Sequence, residues 1–250
     1  FGINFDQSLE IFAAAANLKG LQLDGIHVHI GSEILETVPH LKALKRVKSL
    51  IDTLRQRGHA ISMVNLGGGF GIGYGDREEP MDVPGLAKKL IPVLASMDCE
   101  VAFEPGRSIV GNAGLLLTQV LYVKDGSLKK FVIVDAGMND LIRPSLYDAY
   151  HRIVRVRDDR GEKAEKVDVV GPICESGDFF AKDRKLSPMV QGDLLAIYDA
   201  GAYGFAMSSR YNSRPTVAEV LVHKGKAHLV RERETVDDLM AKERIPEFLK

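Results

Sequence analysis

The hydrophobic pattern of the chain changes character near residue 112. Before that point, short apolar runs alternate with helically spaced ones. Leu21–Ile30 is apolar and β-branched and stops at Gly31, which predicts a strand. Val38–Arg57 carries apolar residues at Val38, Leu41, Leu44, Val47, Leu50, Ile51 and Leu54, one face of a helix that Gly58 ends. Met63–Leu66 predicts a second strand, running into Gly67-Gly68-Gly69. Leu86–Met97 predicts a helix, kinked at Pro92. Val101–Phe103 predicts a third strand, closed by Glu104-Pro105-Gly106-Arg107. Strand alternating with helix predicts parallel βα units.

The spacing of the strand ends points to a particular architecture. Gly31 to Gly69 is 38 residues and Gly69 to Gly106 is 37. A (β/α)8 barrel uses roughly 31 per unit, more with insertions, and carries its active site where the strands stop. Residues 1–112 are therefore expected to be the C-terminal part of a (β/α)8 TIM barrel. Three units cannot close it, so about five more are expected N-terminal to Phe1. A three-stranded parallel sheet with two open edges would otherwise invite aggregation.

From Leu115 the pattern becomes strand after strand. Leu117–Val123, Phe131–Asp135, Val167–Val170, Leu194–Tyr198, Val217–Val222 and His228–Val230 are the candidates, which predicts a C-terminal antiparallel β domain over 113–250. Residues 157–166 read as a solvated charged turn. Residues 231–250 read as a polar helical tail that can return to the barrel.

Composition removes several classes of function. With 33 Lys and Arg against 34 Asp and Glu, the net charge is −1, and no basic stripe suits nucleic acid. The apolar runs are too short to span a bilayer. Cys99 and Cys174 do not make a disulfide framework, and a reducing cytoplasmic setting fits them.

The candidate chemistry sits at the strand ends. Gly67-Gly68-Gly69-Phe70-Gly71 lets backbone N–H groups approach an anion such as phosphate, although tight turns use glycine as well. Glu104-Pro105-Gly106-Arg107 offers a carboxylate, a backbone donor and a guanidinium, or alternatively an ion pair that caps a loop. The two motifs on adjacent strands favour a phosphate-bearing cofactor. His27 and His29 share a strand face, so they are either a metal pair or, for one ring, a cofactor-stacking group ahead of Gly31-Ser32. No other ligands complete a metal set. Cys99 reads as a small core hydrophobe. Cys174 does not, since turn formers and acids surround it in Gly171–Asp178.

Taken in order, His29-Ile30-Gly31-Ser32, Gly67–Gly71, Glu104–Arg107, Cys174–Asp178 and Gly201–Pro215 resemble the diaminopimelate decarboxylases. These are fold-type III, alanine-racemase-like enzymes that use pyridoxal 5′-phosphate (PLP). The resemblance implies decarboxylation of meso-diaminopimelate to lysine, as a cytoplasmic homodimer with shared sites. It implies that His29 stacks on the pyridine ring. Ser32, Gly67, Gly68, Gly69, Pro105, Gly106 and Arg107 would hold the phosphate region, and Glu104 would face the pyridine nitrogen. Arg107, Arg143, Tyr147 and Glu175 would bind substrate, and Tyr203 would touch both cofactor and substrate. Cys174 would protonate the product carbon in the partner's site.

Arg143 suits the distal carboxylate of the substrate and Glu175 its ammonium. Ornithine enzymes of the same fold typically carry Asp where this chain has Glu175, which argues against an ornithine or arginine substrate. The family's Schiff-base lysine belongs to the first barrel strand, and none of these lysines occupies that position. An inactive binding homologue that lost the lysine is the alternative of another class, and a metal-dependent barrel hydrolase is a third. The sequence predicts that residues 1–250 alone do not decarboxylate.

Overall fold

The computed structural model describes residues 2–76, 78–157, 161 and 163–249. The chain divides into two compact units. Unit 1 comprises residues 1–73 and 77–109, and unit 2 comprises 74–76 and 110–250.

Unit 1 is an arc of a (β/α) barrel. Helix α1 (Ser8–Ala15), which the sequence reading did not single out, precedes β1 (Gly25–His27), α2 (Val38–Gln56), β2 (Met63–Asn65), α3 (Val83–Ala95), β3 (Glu100–Ala102) and α4 (Gly106–Val110). The strands are parallel, in the order β1-β2-β3. His27, Asn65 and Ala102 lie in register, so their side chains share one face. The residues before them, Ile26, Val64 and Val101, point the other way and pack in one apolar cluster with the buried faces of α2 and α3. In α2 that face is Leu44, Val47, Leu50, Ile51 and Leu54. In α3 it is Leu86, Leu90 and Leu94, spaced four apart. Helices on one face leave the strand-end polar groups on the other.

The predicted strand over Leu21–Ile30 shrinks to three residues. Chain on either side of it, at Leu21 and Ile30, is exposed, so apolar content there does not mean burial. Helix α3 begins three residues earlier than expected, where Asp82 caps it by accepting from the Gly85 amide at 2.9 Å. It runs through Pro92 as one element. Pro92 and Lys88 are both exposed, so the carbonyl that loses its helical donor can face water.

Arg55, near the end of α2, ties the turns of unit 1 together. Its guanidinium donates to the carbonyls of Ile61 (2.5 Å), Met97 (2.6 Å) and Asp98 (2.9 Å). It also reaches the Cys99 sulfur at 3.2 Å. One cation thus satisfies the carbonyls that lead into both β2 and β3.

Unit 2 contains a six-stranded sheet in the order β6-β9-β4-β5-β7-β8. The strands are β4 (Leu116–Asp125), β5 (Lys130–Val134), β6 (Ile153–Arg155), β7 (Glu165–Val170), β8 (Phe179–Leu186) and β9 (Leu194–Ile197), with the short helix α5 (Arg143–Tyr147) between β5 and β6. The pairings are antiparallel except β5 with β7, which run parallel. The sequence reading missed β6 and β8, and it did not foresee the parallel pair. In β8 only Phe180 and Ala181 are fully buried among lysines, arginine and aspartate, so hydrophobic alternation is hidden. Val120, Val132, Val134, Val169, Phe180, Leu195 and Ile197 form the core.

A separate hairpin, β10 (Glu219–His223) with β11 (Lys226–Arg231), stands outside that sheet. The expected helical tail is helical only over α6 (Val236–Met240), where a Thr235–Asp238 capping box starts it, and in one 3-10 turn at Glu247–Leu249. Of the predicted charged turn 157–166, residues 158–160 and 162 lie outside the described residues.

Arg55→Ala should destabilise the protein by about 1.5–3 kcal/mol, the worth of charge-assisted hydrogen bonds lost from partly buried acceptors. Urea unfolding measures it; a midpoint within error of the wild type would show that the clamp is idle.

Candidate active site

The strand ends of unit 1 come together through glycine. A Cβ on Gly68 would run into the Glu104 carbonyl, and one on Gly69 into the Gly31 carbonyl. On Gly67 it would sit 2.6 Å from the Val28 carbonyl oxygen. Gly67 and Gly69 also have positive φ, +66° and +87°. The glycine run is therefore required for the loops after β1, β2 and β3 to touch backbone to backbone.

Those loops place the candidate side chains. His29 lies just beyond β1, and its Nδ1 accepts from the Gly68 amide at 3.4 Å. Glu104 follows β3. Its Oε1 takes the Asn65 amide at 2.9 Å and lies 3.3 Å from His27 Nε2. Among the described residues Oε2 has no partner, so the carboxylate keeps one oxygen for an N–H donor. Asn65 also accepts from the Gly67 amide at 2.8 Å through its Oδ1, so one side chain orients both the carboxylate and the glycine loop. Arg107 donates to Ser32 Oγ at 2.9 Å and pairs with Glu33 at 2.9 Å. Glu33 in turn accepts from the Ile72 and Gly73 amides.

The glycine amides divide into two sets. Those of Gly67, Gly68 and Gly106 already donate within the chain, to Asn65, His29 and the Glu104 carbonyl. The Gly69 amide has no acceptor among the described residues. A Cβ on Gly106 would meet nothing within 4 Å, so open space adjoins Gly106, next to Arg107 in the chain. A free carboxylate oxygen, an unclaimed amide and open space beside an arginine fit a ring nitrogen and a phosphate. No group of three or more His, Cys, Asp or Glu able to hold a metal occurs among the described residues, and His27 is engaged by Glu104.

Unit 2 carries the remaining candidates. Cys174 and Glu175 sit exposed in the loop between β7 and β8. Asp178, 4% exposed, pins that loop by accepting from the Ile173 amide at 2.6 Å and the Met138 amide at 2.7 Å. Burial pushes its carboxyl above the usual range, against the pull of those amides. Glu175 accepts from Tyr211 Oη at 3.0 Å. That bond, helped by the Gly177 amide, holds the Glu175 carboxyl below its ordinary value. Arg143 and Tyr147 begin and end α5. Arg143 is buried, with its guanidinium 4.3 Å over the Tyr74 ring and its Nη1 2.9 Å from His151 Nε2, whereas Tyr147 is exposed. Tyr203 is exposed and has φ +58°, an uncommon conformation for an aromatic residue.

Sequence reasoning missed Asn65, Glu33, Asp178, Arg214 and His151. Arg214, inside the Gly201–Pro215 motif, donates to Asn139 Oδ1 at 3.0 Å and to the Asp135 carbonyl at 2.6 Å. Asp178 and Arg214 lie inside motifs that the sequence marks without a role of their own, and Asn65 ends a strand immediately before the glycine run, whereas Glu33 and His151 carry no such signal.

The family model for pyridoxal-dependent decarboxylases, described as their C-terminal sheet domain, matches residues 13–201. The chain belongs to this family. Its members include diaminopimelate decarboxylases similar to this chain. That of Aquifex aeolicus is 47% identical over 237 residues, 95% of this chain and 56% of the relative. Among solved structures, the Helicobacter pylori enzyme complexed with L-lysine is 40% identical with a TM-score of 0.89, covering 97% of this chain and 60% of that one. The enzyme from M. jannaschii, also with L-lysine, is 36% identical with a TM-score of 0.93, covering 100% and 59%. The chain thus spans under two thirds of the length of these decarboxylases. No helix among the described residues is long and apolar enough to cross a membrane.

Tyr211→Phe should raise the Glu175 pKa toward the ordinary carboxylate value, because the strongest bond favouring the charged form is removed. A carbon-13 NMR titration of the Glu175 carboxyl reads it directly, and an unmoved midpoint would contradict the pairing.

Proposed function

We propose that this chain is the larger part of a PLP-dependent diaminopimelate decarboxylase, releasing CO2 from meso-diaminopimelate to give L-lysine. The observation that carries the reading is Glu104, a carboxylate fixed by Asn65 and His27 with one oxygen unpaired, beside the open space at Gly106. The similarity to diaminopimelate decarboxylases solved with L-lysine supports the substrate assignment. PLP, when bound, supplies the electron sink for the bond to the departing carboxylate.

The roles of the chain's own residues follow from their chemistry. Glu104 Oε2 holds a proton at the cofactor's ring nitrogen, which keeps the ring electron-poor. His29, whose imidazole the Gly68 amide fixes, would stack on the ring. Ser32, Gly69, Gly106 and Arg107 bind phosphate, with Glu33 orienting the guanidinium. Arg143 clamps the distal carboxylate of the substrate. Tyr147, Tyr203 and Glu175 bind its remaining polar groups, Glu175 taking the ammonium as a charged carboxylate. Cys174 Sγ delivers a proton to the carbon that lost CO2. The Schiff-base lysine is supplied by sequence outside the matched span. The protein works as a cytoplasmic homodimer with shared sites.

The test is lysine and CO2 formation by the full-length protein with PLP, offered meso-diaminopimelate, ornithine or arginine in turn. Turnover of the first, with little of the others, is expected. Arg143→Ala should then lower kcat/KM for meso-diaminopimelate by about 30-fold or more, because a desolvated carboxylate loses a partner worth roughly 2–5 kcal/mol. Preference for ornithine or arginine would overturn the substrate assignment, and failure to bind PLP would overturn the cofactor.

A further inference from the structure

His151 is completely buried two residues before β6, and both of its ring nitrogens are engaged. Nδ1 lies 2.8 Å from the Tyr198 carbonyl oxygen. Nε2 lies 2.9 Å from Nη1 of Arg143. A carbonyl oxygen only accepts, and a guanidinium only donates. Nδ1 must therefore carry the hydrogen, and Nε2 must present its lone pair to Arg143. The neutral Nδ1–H tautomer alone satisfies both contacts.

The imidazole is anchored independently of Arg143. Arg184 Nη1 donates to the His151 carbonyl at 3.0 Å. The Tyr198 amide donates to the Arg152 carbonyl at 2.8 Å. The Tyr74 ring meets His151 edge-on at 5.3 Å and lies under the Arg143 guanidinium at 4.3 Å. The arginine is thus fitted to a histidine that is already fixed.

The surrounding charges oppose a second proton on that ring. Arg143 faces it from α5, Arg184 reaches its backbone from β8, and Arg152 follows it in sequence and stacks on Tyr198 at 4.2 Å. From the segment before unit 2's sheet come the Tyr74 ring and Asp76, whose carboxylate accepts from Tyr150 Oη at 2.8 Å. Protonation of Nε2 would remove the acceptor and set an N–H against the guanidinium, two cations in contact.

We infer that His151 is the positioning residue for Arg143: the neutral ring, kept neutral by burial and by the arginines around it, holds the guanidinium in the pose that binds the substrate's distal carboxylate. This rests on the substrate role proposed for Arg143.

The experiment measures KM and kcat for meso-diaminopimelate at about pH 8 in full-length holoenzyme and in its His151→Leu and His151→Gln variants. Glutamine offers Arg143 a neutral acceptor, and leucine offers none. His151→Leu should raise KM by about tenfold, the worth of one charge-assisted hydrogen bond, with kcat changing far less, and His151→Gln should restore most of that loss. Nitrogen-15 NMR of the unaltered protein provides a second reading, independent of whether the variants fold, and should show His151 as the Nδ1–H tautomer. An unchanged KM in His151→Leu, an equal loss in His151→Gln, or an Nε2–H tautomer would overturn the inference alone. Absence of meso-diaminopimelate turnover in the unaltered holoenzyme would overturn the assigned activity, and this inference with it.

Discussion

The site in unit 1 depends on backbone touching backbone. Gly67, Gly68 and Gly69 stand where any side chain would strike the carbonyl of Val28, Glu104 or Gly31. Because that contact is allowed, three strand ends converge, and short polar side chains can bridge between them. Asn65 can reach Glu104 and the Gly67 amide at once only at this separation. The same closeness brings the Gly68 amide to His29. The parallel sheet and the leucine-rich faces of α2 and α3 fix the strands, but the glycines fix what the strands present.

Unit 2 reaches a similar end by different means. The loops that carry its candidate residues are held by buried carboxylates that cap backbone amides. Asp178 gathers the Ile173 and Met138 amides, and Asp140 takes that of Gly137. Burial raises the pKa of both acids, while their hydrogen bonds pull it back. The desolvation cost is offset because each oxygen finds donors. Such anchoring leaves Cys174 and Glu175 at the surface of a loop whose base is fixed. Arg143 follows the same rule with opposite charge, its guanidinium placed by Tyr74 and His151.

Much of this was legible in the sequence, and the failures have physical causes. Helix α2 was readable end to end, because its apolar face keeps helical spacing and Gly58 adopts positive φ where the helix stops. The three strand-end motifs were readable because parallel βα units repeat at a near-constant interval. Strand length was not: apolar residues such as Leu21 and Ile30 continue past the three paired residues of β1 into exposed chain. Strand β8 escaped notice because lysine, arginine and aspartate occupy most of it. The parallel pairing of β5 with β7 depends on a chain crossover that local pattern does not encode. In the site, sequence motifs flagged Glu104 and Arg107 but not the residues that orient them. Glu33 and His151 act through bonds to residues distant in sequence or outside any regular spacing, which no spacing rule announces, whereas Asn65 is marked by its place just before the glycine run.

In the proposed function the glycines do two separable jobs, Gly68 letting loops touch and Gly106 leaving room for the cofactor. Thermal unfolding and PLP affinity of the full-length protein, measured side by side for Gly68→Ala and Gly106→Ala, separate them. Gly68→Ala should lose stability, by about 1–3 kcal/mol for an overpacked contact, and lose PLP affinity with it. Gly106→Ala should keep its stability, since its Cβ meets nothing within 4 Å, yet bind PLP at least tenfold more weakly. A Gly106→Ala protein with undiminished PLP affinity, or a Gly68→Ala protein as stable as the wild type, would contradict it.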